Sequence, residues 1–201
     1  RSIIYSLISK NYQLLLDMLS IPAFEEHIIR SISYCLPLIK QLDSESSELF
    51  INSLNQYYMS LISFNCPDLL IEAARLYFLY NYVPYLPDEQ KFNLMQHVVS
   101  HYFELFLKSD EESVNNLVIV TLINCKLFIR LLKYHIPPFS FEGALQALVS
   151  FHSFYYTPIV IDAIKILVEN EKDNIIPFAE DILEKVFISF NISFTQYLNS
   201  S

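Results

Sequence analysis

Val114-Asn115-Asn116-Leu117-Val118-Ile119-Val120-Thr121-Leu122-Ile123-Asn124-Cys125-Lys126-Leu127-Phe128-Ile129-Arg130-Leu131-Leu132 is the stretch on which the fold turns. Val114, Leu117, Val118, Thr121, Leu122, Cys125, Phe128, Ile129 and Leu132 recur at three- and four-residue steps, the period of one helix face. Ile119, Val120, Ile123 and Leu131 fall on other faces, so this helix is expected to be covered on more than one side, with Leu122 and Cys125 well inside. Lys126 and Arg130 interrupt the run before the roughly 20 apolar residues that a membrane crossing needs, so it reads as a buried helix and not as a span.

Outward from this helix the same period continues. Ile175, Phe178, Ala179, Ile182, Leu183, Val186, Phe187 and Phe190 form one stripe, with Glu180, Asp181, Glu184 and Lys185 off it. Ile21-Pro22, Cys66-Pro67-Asp68, Leu86-Pro87-Asp88, Ile136-Pro137-Pro138 and Thr157-Pro158 each end one helix or open the next, because proline lacks the amide donor a helix interior uses. Ser109-Asp110-Glu111-Glu112 supplies an N-cap followed by first-turn acids. These signals predict helices over 2–19, 24–42, 46–64, 68–83, 88–107, 111–134, 139–153, 158–170 and 175–198.

Taken in pairs, the first helices begin near 2, 46, 88, 139 and 175, bracketing the roughly 40–47-residue period of HEAT and armadillo units. A single helical hairpin cannot bury its apolar face alone; stacked neighbours complete the core. The expected fold is therefore all-α, a right-handed solenoid of about four and a half HEAT repeats over 2–42, 46–83, 88–134, 139–170 and 175–198. An irregular helical bundle would give the same helix count. The start at Arg1 and the helix-like run from Phe187 to Leu198 lead to the expectation of a segment of a longer protein.

Composition narrows the function classes. Gly143 is the only glycine in 201 residues, which removes phosphate loops, dinucleotide fingerprints and nucleophile elbows, all of which need several. A net charge of −9 argues against general nucleic-acid binding and for neutral or basic partners. Cys35, Cys66 and Cys125 are odd in number and far apart, which suits reduced thiols rather than a disulfide frame.

Two stretches resemble the importin-β (karyopherin) family, in particular the branch of importin-seven, importin-eight and exportin-two. The first is Leu69-Leu70-Ile71-Glu72-Ala73-Ala74-Arg75-Leu76-Tyr77-Phe78-Leu79-Tyr80, similar to a second repeat helix in which charges interleave with alanine before an aromatic run. The second is Asn174-Ile175-Ile176-Pro177-Phe178, followed by acids and closed by Phe187-Ile188-Ser189-Phe190-Asn191. It resembles a first-helix opening with proline just inside. The likeness is best over 67–198, and it departs from the family at Tyr77, where a tryptophan stands, and at Glu72, where a basic residue stands.

The resemblance implies a middle section of a nuclear transport receptor, in cytoplasm, nucleus and nuclear pore. It would bind basic protein cargo on its second helices and nucleoporins on its outer face, and meet Ran through another part of the receptor. The acids it would turn to cargo are Glu72, Glu111, Glu112, Asp162 and Glu169, and the aromatics that would border nucleoporin slots are Tyr57, Tyr58, Phe103 and Phe106. A HEAT scaffold of the phosphatase, cohesin or vesicle-coat adaptor kind shares the architecture without the transport cycle.

No catalytic residue, cofactor, metal, small-molecule substrate, direct nucleic-acid contact or membrane insertion is expected. His97 and His101, four apart with Glu104 beyond, have ligand spacing, but Val98 breaks the zinc-protease motif and no further ligand group follows. Neighbouring carboxylates such as Glu25-Glu26, Glu111-Glu112 and Glu180-Asp181 point about 100° apart on a helix and make no acid–base dyad. An all-α enzyme domain would need convergent polar groups that the sequence does not supply. Asn191-Ile192-Ser193 matches a glycosylation sequon by chance in a cytosolic helix.

Overall fold

Asp68 shows how the local signals become structure: its Oδ1 accepts from the backbone amides of Leu70 at 2.8 Å and Ile71 at 3.3 Å, capping the helix that the Cys66-Pro67-Asp68 break opens. The computed structural model describes residues 25–37, 44–61, 68–103, 111–138, 140–154 and 157–171, with single positions before and after. They form α1 (Glu25–Cys35), α2 (Ser44–Leu61), α3 (Leu69–Tyr82), α4 (Asp88–His97), α5 (Glu111–Lys133), α6 (Phe141–Phe154) and α7 (Pro158–Glu171). Among the described residues there is no strand, so the all-α class expected from the periodicity holds. The helices predicted over 2–19 and 175–198 lie outside them, apart from isolated positions.

The chain divides into two compact units, Arg1–Leu86 and Pro87–Ser201. The joint is the Leu86-Pro87-Asp88 break, where Pro87 stands in extended conformation just before α4.

In the first unit α3 is the central helix, and it packs directly against α1. Its buried residues (Ala73, Ala74, Leu76, Phe78, Leu79 and Tyr82) leave little of its circumference to solvent, as a helix with neighbours on two sides requires. The second neighbour is α2, whose stripe Phe50, Leu54, Tyr58 and Leu61 is buried. There the Tyr82 hydroxyl meets the Ile51 carbonyl at 3.1 Å and Asn55 Oδ1 at 2.9 Å. Toward α1, Arg75 meets Glu25, the Tyr34 and Tyr77 rings approach to 6.1 Å, and the Tyr85 hydroxyl donates to the Leu36 carbonyl at 2.8 Å. Those three contacts rise together in residue number along both segments, so α1 and α3 run in the same direction.

In the second unit α5 packs against α7, α6 against α7, and α4 against α5. A stretch after α4, Val98–Phe103, is π-helical and touches both α5 and α6. The continuous α-helix expected over 88–107 is thus corrected: the α form ends at His97, and the turn widens where the backbone lies against two helices at once. Lys91 fastens the start of this element, with Nζ 2.8 Å from Asp88 Oδ1 and 4.7 Å from the centre of the Tyr134 ring.

The expected two-sided burial of α5 holds for Val120, Leu127 and Leu131 on one side and Cys125, Phe128 and Leu132 on another. Leu122, expected deep inside, is only half-buried. Its neighbour Ile119 is open, so the helix's solvent edge passes closer to Leu122 than the apolar count implied. Leu183 and Phe187, counted in the last predicted stripe, are 68% and 70% exposed. Gly143 has a local role: its amide donates to Ser140 Oγ at 3.0 Å, and an added Cβ would stand equally close to that oxygen.

Candidate functional site

The first unit presents charged and aromatic groups where α1 and α3 lie side by side. Arg75 Nε and Nη2 both donate to Glu25 Oε1, at 2.9 and 2.5 Å, and Glu72 Oε2 stands 4.0 Å from Arg75 Nη1. Glu26, next to Glu25, turns instead to Arg30 at 2.9 Å, as the 100° step between helical neighbours demands. Toward the ends of the two helices the charges give way to tyrosines. Tyr34 reaches Tyr77 across the helix pair, and Tyr77 stacks with Tyr80 at 6.4 Å and 22°. Tyr34 is 68% exposed, while Tyr77 and Tyr80 are half-buried. Neither helix carries a basic residue in its last turn, so both negative dipole ends are uncompensated by side-chain charge there.

The five predicted cargo acids separate into three groups. Glu72 is buried and lies against Arg75, so its place on an open surface is corrected: the guanidinium draws it inward. Glu111 and Glu112 lie in the first turn of α5, with side chains outside the described residues. Asp162 and Glu169 are exposed on α7, seven residues apart and hence on one face, with Lys165 between them at 3.9 Å from Glu169.

The predicted slot aromatics do not gather at an opening. Tyr58 is fully buried, and that burial pushes its hydroxyl up to about 12. Tyr57 is half-buried with its ring edge-on to Phe78 at 5.6 Å. Both belong to the α2–α3 core, which corrects their assignment to a slot. The Phe103 side chain and the whole of Phe106 lie outside the described residues.

The described histidine side chains do not gather into a metal site. His97 closes α4 and His101 falls in the π-helical stretch, its side chain outside the described residues. Among the described residues no group of three metal-ligating side chains occurs. His135 takes φ 57 at the end of α5 and, with Ile136, Pro137 and Asn170, lines an open cavity of about 160 Å³. That hollow follows from helix termination, since the Leu132 carbonyl there accepts from the His135 amide at 2.9 Å and from Asn170 Nδ2 at 3.1 Å. His152 is buried in α6, which lowers its pKa. Burial pushes the Cys125 thiol up to about 12 and raises that of Cys35; Cys66 lies outside the described residues. No described helix is long and apolar enough to cross a membrane.

Sequence reasoning missed the tyrosine cluster and Asn124. The cluster had a signal, since Tyr77 and Tyr80 share a helix face, but Tyr34 is 43 residues away and only the fold brings it there. Asn124 stands inside the apolar stretch of α5, fully buried, with both amide atoms lacking a hydrogen-bond partner among the described residues. Compared with known proteins, the chain matches no family model, no curated protein and no solved structure.

Proposed function

We propose that this chain is a protein-binding segment built from stacked helical pairs of HEAT type, working as a middle section of an importin-β-like nuclear transport receptor. The like-to-like packing of the second unit carries this reading. There one pair is α4 with its π-helical extension and α5, and the other is α6 and α7; first element meets first, and second meets second. The parallel course of α1 and α3, the second helices of two successive predicted pairs, supports the same arrangement in the first unit. Within each unit such a stack turns one side of its second helices to a partner, and it recruits by surface complementarity rather than by a pocket.

Transport is the specific form because of the two stretches at Leu69–Tyr80 and Asn174–Asn191, and the charge of −9 favours basic cargo. The burial of Tyr58 and the core position of Tyr57 favour a second reading, a HEAT scaffold of another complex, because they take two aromatics away from nucleoporin slots. The test is to titrate the full chain with a core histone and with a phenylalanine-glycine repeat peptide. Transport predicts that both bind without competing. Histone binding alone leaves the scaffold reading, and failure of both removes the binding function.

A further inference from the structure

We propose that Tyr34, Tyr77 and Tyr80 form a docking site for arginine side chains of a basic, extended protein segment, with guanidinium planes lying on the tyrosine rings. The proposal rests on the reading of the second helices as the partner face and names the partner that this part of it selects.

Three features of the cluster specify a flat cation. The first is ring access. Tyr34 is 68% exposed in a helix that otherwise buries Ile28, Ile29 and Ile32, so a large π face is held open beside Tyr77 rather than folded into the core. The negative face of an aromatic ring attracts cations within about 6 Å of its centre.

The second is the field. Tyr34 lies in the last turn of α1 and Tyr80 in the last turn of α3, and neither last turn carries a basic side chain. The carboxylates Glu25, Glu26, Asp68 and Glu72 lie toward the starts of the two helices, with Arg30 beside Glu26 and Arg75 beside Glu25 and Glu72, so the field at the rings is that of the two dipole ends. An arriving cation therefore meets two negative helix ends on a chain of net charge −9.

The third is a precedent within the protein. In the second unit Tyr134, just past the end of α5, has Lys91 Nζ 4.7 Å from its ring centre. A tyrosine at the end of a second helix thus holds a cation where the chain supplies one. Arginine suits the α1–α3 site better than lysine, because a planar, weakly hydrated guanidinium stacks on a ring while an ammonium keeps its water. An extended segment fits because the exposed Tyr34 and the half-buried Tyr77 and Tyr80 belong to two adjacent helices, so a chain crossing both meets them in turn.

The experiment titrates the full chain with three short extended peptides, in which serine alternates with arginine, with lysine or with glutamate. The arginine peptide is expected to bind more tightly than the lysine peptide, and the glutamate peptide not to bind. Tyr34→Leu, a change at an exposed position with little consequence for folding, is expected to weaken the arginine peptide about two- to five-fold, and Tyr34→Phe to leave it unchanged. Circular dichroism of both variants confirms the fold. Equal binding of the arginine and lysine peptides, or indifference of the arginine peptide to Tyr34→Leu, overturns the site. If a core histone still binds in that case, the partner face stands on its carboxylates alone. If neither histone nor arginine peptide binds, the proposed function falls with the site.

Discussion

Arg75 reaches across to Glu25, fifty residues earlier, with two guanidinium nitrogens on one carboxylate oxygen and both side chains 14% exposed. With Glu72 beside it, the guanidinium answers two carboxylates between α1 and α3. Removing it leaves both acids in a poorly hydrated seam, and the cost of breaking a largely buried pair is about 3 kcal/mol. Arg75→Ala should lower stability by that amount in urea titration. Arg75→Met with Glu25→Gln and Glu72→Leu should recover most of it, because no lone charge is left behind. A loss under about 0.5 kcal/mol for Arg75→Ala would show that water reaches the pair freely.

Along α5 the two leucines Leu131 and Leu122 make a direct comparison. Leu131 is fully buried, and its replacement by alanine is expected to cost about 2–5 kcal/mol. Leu122 is half-buried, and the same change there should cost about 1 kcal/mol. Denaturation of the two variants side by side checks the order; equal losses would place the solvent edge of α5 elsewhere.

What the sequence made legible was local. Proline breaks, the Asp68 cap and the three- and four-residue period placed the starts of the described helices within a few residues, because these signals act through neighbours along the chain, whereas the α-helices predicted over 24–42 and 88–107 end at Cys35 and His97. The π-helical stretch at Val98–Phe103 was not legible, since it arises where the backbone lies against α5 and α6. Glu72 read as surface because its partners are invisible to a one-dimensional count of charges; Arg75 and the tertiary neighbour Glu25 decide its burial. The Tyr34–Tyr77 contact joins two elements in the same way.

Asn124 offers a test with the opposite sign. A fully buried amide with no hydrogen-bond partner among the described residues has lost its hydration without return, at about 1–3 kcal/mol. Leucine has a similar shape and no such debt. Asn124→Leu is expected to raise stability by about 1–2 kcal/mol, read as a higher urea midpoint at unchanged slope. A lower midpoint would mean that the amide is satisfied in solution.

His152 sets a pH dependence. Free imidazole titrates near 6.5, and burial lowers this value in the folded protein. As pH falls through about 6.5 the unfolded chain takes up a proton that the native state still refuses, so stability present above that pH is lost below it. Urea midpoints should therefore drop between about pH 7.5 and pH 5.5, and drop less in His152→Gln. The same fall in both proteins would assign the dependence to other groups.

On the proposed reading, Asp162 and Glu169 would recruit basic partners through α7. They share an exposed face with Lys165, two carboxylates against one ammonium, and their fields add over the distance of about 10 Å at which salt screens them at 0.1 M. Exposed charges of this kind act mainly on how fast an oppositely charged partner arrives. Asp162→Asn with Glu169→Gln should slow association with a core histone and make it less sensitive to salt. Folding should change by under about 0.5 kcal/mol, since the Lys165–Glu169 pair is surface-exposed and contributes little. Stopped-flow binding across a salt series separates these effects. An association rate that is identical in both proteins at every salt concentration would make the α7 acids ordinary solvated surface. The proposed transport reading would then rest on the two karyopherin-like stretches and the helix contacts of the second unit, without a cargo-facing charge in α7.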